Sequence, residues 1–256
     1  MTDNRSSPIA QNLSVALQPF RQMMGFFQPF IQAMAKISQA VAPYLEGFVR
    51  YHKFIDSVRA TGWLPYHTLS IGYVEEYADD TALLENHISS FYKNTWDNIR
   101  QDIESRLTQY NISEETKETF REALSAHEIG HYRCVCSLLF PVIDREFRIH
   151  FFQDSAGSIS SKKMLEKLTN RGKLNNFLPR EAYGWILFKF LVRHLYEPVD
   201  DGNRQQYQQD YVPNRHASIH GLLPYSTHKH SINMIIMADY IFQILTDTSG
   251  LPSPKQ

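Results

Sequence analysis

In residues 79–110, DDTALLENHISSFYKNTWDNIRQDIESRLTQY, the side chains of Leu84, Ile88, Phe91, Ile99, Ile103, Leu107 and Tyr110 recur at helical intervals. At 3.6 residues per turn that spacing lays them in one apolar stripe. Asp79 or Asp80 can cap the start of the helix, and Asn111 ends it. Ser113 with Glu114 and Glu115 then opens a second helix, with acid at its positive end. It carries Phe120, Leu124, Val135 and Leu138 toward Pro141, where a kink or restart is expected. The same periodicity returns in Arg180–Tyr196 and from His228 to about Thr246. Leu69–Val74 and Glu146–Phe152 are the only stretches that alternate like strands, and both are discounted. The expected fold class is all-α.

Toward the N-terminus, Ile9–Ala60 reads as helices interrupted near Pro29 and Pro43, with a broad apolar surface that needs a partner. Thr61–Pro65 is a break. Toward the C-terminus, Ser155–Lys163 is a Ser/Gly/Lys loop leading into a basic helix near Met164–Leu174, and Asp200–Asp210 is a polar, mobile stretch. There is no internal repeat. The expected organisation is a helical region over 1–110, with a dimerising or regulatory role, a second domain over 113–248, and a tail over 249–256.

The 256 residues hold 26 Lys+Arg against 27 Asp+Glu, so no global excess of positive charge points to nucleic acid, and a polyanion site must be local. An apolar fraction of 43% excludes a disordered chain. Cys134 and Cys136 stand two apart, about 200° around a helix, which excludes a shared metal and leaves two small buried apolar residues. The polar start, Met1–Pro8, lacks a signal-peptide core, and no run of about 18 apolar residues exists. A cytoplasmic chain without a membrane span is expected.

Two segments carry candidate chemistry. His127-Glu128-Ile129-Gly130-His131 fits the H-E-x-x-H zinc pattern, in which histidines four apart on a helix share a metal and the Glu acts as base. No third ligand is evident, and both histidines continue the apolar stripe. A zinc hydrolase through His127, Glu128 and His131 is therefore the lesser alternative, and neither metal nor cofactor is expected. The second segment is Pro213-Asn214-Arg215-His216-Ala217-Ser218-Ile219-His220-Gly221. Pro213 can open a helix and Gly221 can end it, which gathers Arg215, His216 and His220 at one short turn. Arg offers a permanent planar fork for phosphate oxygens. His moves protons near neutral pH. The pair suits phosphodiester chemistry.

The Arg-x4-His spacing of Arg215 and His220, with a polar residue after the Arg and an all-helical context, resembles the HEPN ribonucleases. Asn214–Gly221, then Tyr225-Ser226-Thr227 and the helix from Ser231, is similar to the last two helices of bacterial HEPN-like proteins. The stretch from Glu122 to Arg148 is similar to their first core helices, which end in an acidic residue followed shortly by Arg. The resemblance covers roughly 113–248. It implies a small helical bundle, a homodimer and a metal-independent ribonuclease site, in proteins that work as toxins or in phage defence, with an antitoxin or defence partner. Because some members are inactive, a non-catalytic interaction or nucleotide-binding module is the main alternative. His220 would transfer the proton of a ribose 2′-hydroxyl and Arg215 would neutralise phosphorane oxygens. His216 or Asn214 would hold the phosphate or the imidazole, and Glu146 or Asp144 would orient Arg215. The turn lacks the Tyr that some toxin members carry three residues after the motif His, and Tyr225 is its nearest substitute. The basic run Lys162, Lys163, Lys167, Arg171, Lys173 is a candidate RNA-backbone contact or a solvated face.

Overall fold

The computed structural model describes residues 46–152 and 179–249, with 42, 160 and 163 as single positions. The helices expected before residue 46, the loop and basic helix expected over 155–174 (Lys163 apart) and most of the tail lie outside the described residues. The described residues contain no strand, and the fold is all-α. The chain divides into two compact units between His52 and Lys53. That division does not fall at the boundary expected near residue 110. Residues 53–110 are stitched by buried polar bonds to the last helix, which a count of apolar stripes does not reveal.

Residues 46–60 are helical. Next come α1 (Ile71–Tyr77), with Ser70 as its N-cap, and α2 (Thr81–Asn94), whose Leu83 N–H donates to Asp80 at 3.0 Å. The single helix expected over 79–110 is two. Thr95 leaves the helical region, its hydroxyl donates to the Phe91 carbonyl at 2.7 Å, and α3 (Trp96–Leu107) starts afresh. The stripe survives the break: Leu84, Ile88, Ile99, Ile103 and Leu107 are buried, with Tyr92 in the place expected for Phe91 because it packs on Trp63 at 4.9 Å.

In α4 (Glu114–Glu128) the Ser113 hydroxyl accepts from the Thr116 N–H. A long helix, α5 (Tyr132–Phe152), follows and holds Pro141 in its interior. The restart expected at Pro141 lies instead at Gly130, whose φ of +80° ends α4. Then come α6 (Pro179–Tyr196), α7 (Arg204–Gln209), α8 (Arg215–Ile219) and α9 (His228–Ser249). The stretch expected to be mobile over 200–210 contains α7, anchored by buried Tyr207 and by the Asp200 carboxylate, which accepts the Gly202 N–H at 2.9 Å.

α5 is the central rod. It packs along α4 and α9, and α8 lies against both α5 and α6. Phe120 meets Phe242 edge to face at 5.7 Å, and Phe147 meets Phe188 likewise. No described helix is long and apolar enough to cross a membrane. Cys136 is buried as expected, whereas Cys134 is exposed, because the two-residue spacing turns one of them off the core face.

Candidate functional site

The segment around α8 owes its shape to Asn214. Its side chain is fully buried, and its carbonyl oxygen accepts the Ala217 N–H at 2.9 Å as an N-cap. Its amide donates to the carbonyls of His194 at 2.6 Å and Glu197 at 3.0 Å, which ties α8 to the end of α6. Asn214 is a positioning residue with no polar group left for a ligand. The other end is closed by Gly221 at φ +64°. There the Leu222 N–H donates to the Ala217 carbonyl at 2.8 Å and the Gly221 N–H to that of Ser218 at 3.1 Å.

Between those ends, Arg215 pairs through Nη2 with Oδ2 of Asp144 on α5 at 2.5 Å. The other Asp144 oxygen accepts the Tyr196 hydroxyl at 2.6 Å, and the guanidinium carbon stands 5.7 Å from the Tyr196 ring. Burial, then the Asp144 charge, pushes the Tyr196 hydroxyl well above its ordinary pKa, so it stays a donor. Arg215 is thus aimed by a carboxylate that is itself fixed. The rings of His216 and His220 lie 4.6 Å apart. The Val199 N–H donates to Nδ1 of His216 at 3.2 Å, which leaves the proton of the neutral ring on Nε2. His220, at the C-cap, is exposed. Of the residues expected to form a site, Arg215 pairs with Asp144 and His216 stands beside His220, all three of the α8-segment residues within six positions of the chain.

Glu146 does not join them. It is 1% exposed, and its Oε1 accepts the Ser113 N–H, the Ser113 hydroxyl and the Thr116 hydroxyl at 2.6–3.1 Å. Two residues along a helix turn a side chain to the far side, so Asp144 meets α8 and Glu146 meets the start of α4. Tyr225 is also set apart. It is buried, its ring stands 5.3 Å from that of His230, and it makes no hydrogen bond to Arg215, His216 or His220.

The H-E-x-x-H segment is not one helical turn, which corrects the premise of the zinc reading. α4 stops at Glu128, and Gly130 reverses the backbone before α5. His127 is 4% exposed, its Nδ1 lies 2.7 Å from the Ser231 hydroxyl, and its ring packs against Trp96, Tyr132 and His228. Burial, helped by His228, lowers its pKa to about 3. Glu128 accepts from Trp96 Nε1 at 3.2 Å and pairs with Arg100, a surface contact rather than a base poised over a metal. Among the described residues no three His, Cys, Asp or Glu stand together as metal ligands.

Sequence reading missed a buried polar network on α9. Asp239, fully buried, accepts from the Tyr66 hydroxyl at 2.6 Å, the Tyr110 hydroxyl at 2.8 Å and Arg106 at 3.2 Å. Asn233 accepts the Leu64 N–H and donates to the carbonyls of Gly62 and Tyr211. The signal was available: a carboxylate and an amide inside the most apolar helix must find partners. With this geometry in hand, comparison with known proteins adds no relative, because no family model, curated protein or solved structure matches the chain.

Proposed function

We propose that the chain is a metal-independent endoribonuclease of the HEPN-like kind, with Arg215, His216 and His220 as its catalytic residues. The observation that carries this reading is the placement of those three residues on one short, doubly capped turn, with the histidine rings side by side, Arg215 aimed by Asp144 and His220 open to solvent. A permanent cation held by a fixed carboxylate is suited to a phosphate whose negative charge grows in the transition state. In the proposed step His220 accepts the proton of a ribose 2′-hydroxyl. The 2′-oxygen bonds to phosphorus while the bond to the 5′-oxygen breaks, and the leaving oxygen takes a proton. The products are a 2′,3′-cyclic phosphate and a 5′-hydroxyl. His216, with its single proton on Nε2, can donate a hydrogen bond to a phosphate oxygen, and the leaving 5′-oxygen takes its proton from solvent or from the protonated His220.

The Asp144 ion pair neutralises part of the single guanidinium, so one turn supplies little net charge. A second copy across a two-fold axis would double it, and the reading therefore includes a homodimer with a composite cleft. A role as toxin or phage-defence effector, with a matching antitoxin or defence partner, belongs to the same reading.

The test is RNA cleavage by full-length protein in EDTA, with analysis of product ends, for wild type, Arg215→Ala and His220→Ala. Loss of cleavage in both folded variants supports the reading. Cleavage at the wild-type rate in either one removes it. A heterodimer of one wild-type and one doubly substituted subunit reads the composite cleft: it keeps about half the activity if each chain has its own complete site, and nearly none if the cleft is shared.

A further inference from the structure

A cleft of about 430 Å³ opens beside α8, and its charge is one-sided. Arg133 and Ser137 of α5, Arg204 of α7, Ser218 of α8 and the turn through Leu222 to Tyr225 line it, and no Asp or Glu does. Elsewhere in the unit five arginines are matched: Arg100, Arg106, Arg121, Arg145 and Arg215 each pair with a carboxylate. Arg133 and Arg204 pair with none among the described residues. Arg204 donates one Nη2 bond to the Leu222 carbonyl at 2.9 Å, which fixes the guanidinium at the rim and leaves its other N–H groups unused. Tyr225, at the inner wall, is buried. The other large cleft, near Trp63, sets Arg59 against Glu85 and Asp210 and has no such bias.

The position of the cleft ties it to the turn. Arg133, Ser137 and Asp144 are spaced four and then seven residues apart, which keeps all three on one face of α5. Asp144 holds Arg215, and Ser137 lies about 10 Å along the same face. On the opposite wall Ser218 follows Arg215 by one turn of α8. Ser218 and Gly221, on either side of His220 in the chain, are both in its wall, so the cleft borders the turn that carries Arg215 and His220.

We infer that this cleft seats the nucleotide next to the scissile bond. Arg133 and Arg204 grip its phosphate, the Ser137 and Ser218 hydroxyls complete the oxygen contacts, and the apolar turn at Leu222 faces the base. The inference rests on the reading of Arg215 and His220 as the cutting site, and it adds that the enzyme holds single-stranded RNA in one direction along α5. Unpaired guanidinium groups at the mouth of a cleft without carboxylates suit a phosphodiester and disfavour a cationic ligand.

The experiment is anisotropy of a fluorescein-labelled 2′-O-methyl RNA decamer, which has no free 2′-hydroxyl to attack, at several salt concentrations. The full-length wild type is compared with Arg133→Gln and with Arg133→Gln/Arg204→Gln. The double variant should bind roughly tenfold or more weakly, as the loss of charge-assisted bonds predicts. Its plot of log K against log salt should be shallower by about 0.7 for each phosphate no longer neutralised. Arg133 is exposed and makes no side-chain bond that the fold uses, so the single variant remains informative even if the double variant melts. Wild-type affinity and slope in folded Arg133→Gln, or no decamer binding by the wild type, would overturn the inference. The two readings fail separately. Arg133-dependent decamer binding by a protein that cuts no RNA sinks the cutting site and keeps the cleft. Cleavage with Arg133-independent binding does the reverse.

Discussion

The two histidine-bearing turns of this chain are built on the same backbone and end in opposite conditions. At the end of α4, Gly130 takes φ +80°, with its N–H on the His127 carbonyl and the His131 N–H on that of Ala126. At the end of α8, Gly221 takes φ +64°, with its N–H on the Ser218 carbonyl and the Leu222 N–H on that of Ala217. Both are left-handed helix caps with the same pair of closing bonds. Yet His127 is walled in by Trp96, Tyr132, His228 and Ser231, while His220 faces solvent beside His216. Residue type and cap are shared but position is not: His127 lies three residues before its glycine and His220 one, and the residue next to the glycine, Ile129 or His220, is exposed in both turns. Chemistry needs the open histidine.

The largest expected effect separates the turns by activity. His220→Ala should lower RNA cleavage by roughly 10²–10⁴, the range for a lost proton-transfer group. Arg215→Ala should cost roughly 10²–10³ through lost charge stabilisation. His127→Ala should leave the rate of the folded fraction unchanged, as measured with protein concentration corrected by circular dichroism. A His127→Ala variant that is folded and inactive would reverse the comparison.

Stability should move at the shaping residues instead. Asn214→Ala removes an N-cap and leaves the carbonyls of His194 and Glu197 without a donor. The expected loss is about 2–3 kcal/mol in urea unfolding, from the cap together with the orphaned buried acceptors. Cleavage should fall with it, because α8 is the mount for Arg215 and His220.

The buried turn should also be the acid-sensitive one. His127 has its folded pKa lowered to about 3, against an unfolded value near 6.5. The unfolded chain therefore binds the proton more readily. The stability held above pH 6.5 drains away as pH falls toward 3. Between pH 7 and pH 5 this group alone should cost about 2 kcal/mol, from 1.36 kcal/mol per pKa unit. His230, lowered to about 4 by burial and Lys229, adds to the slope in the same direction. Urea unfolding of wild type and His127→Gln at both pH values isolates the His127 share, and equal slopes in the two proteins would refute it.

These outcomes bear on what the sequence could reveal. Helix type was legible, because the stripes through Leu84, Ile103, Phe120 and Leu124 have a helical period and do end up buried. The breaks at Thr95 and Gly130 were not, since the periodicity runs almost in phase across both. At Gly130 the deciding quantity is a single positive φ, which the H-E-x-x-H pattern masked. The turn at Arg215 was legible through Pro213 and Gly221, and the Asp144 partner was named as one of two options. Choosing between Asp144 and Glu146 required the rotation of α5 against α8, which is a packing outcome and not a local one. Asn214 was read as a possible ligand contact, although its fully buried amide is already committed to the backbone.

The smallest effect sharpens the comparison most. A Cβ built on either Gly130 or Gly221 meets nothing within 4 Å, so neither substitution creates a clash. The whole cost of alanine is then the left-handed backbone, about 1 kcal/mol at each position. Gly62 provides the contrast: it combines φ +77° with a Cβ that would stand 2.7 Å from Tyr211, and its alanine variant should lose more. Gly130→Ala and Gly221→Ala should thus shift the urea midpoint almost equally. Their effect on cleavage should differ, because relaxing the cap at Gly221 moves His220, its immediate neighbour, off its position over His216, whereas the immediate neighbour of Gly130 is Ile129, which has no proton to transfer. A few tenths of an ångström at a proton-transfer group lowers a rate measurably, while the same displacement at His127 is absorbed as stability. Equal midpoints with cleavage reduced only in Gly221→Ala would show that two identical caps differ in function through the side chain each sets beside its glycine. Cleavage reduced equally in both would mean that the turn at Gly130 contributes to the site.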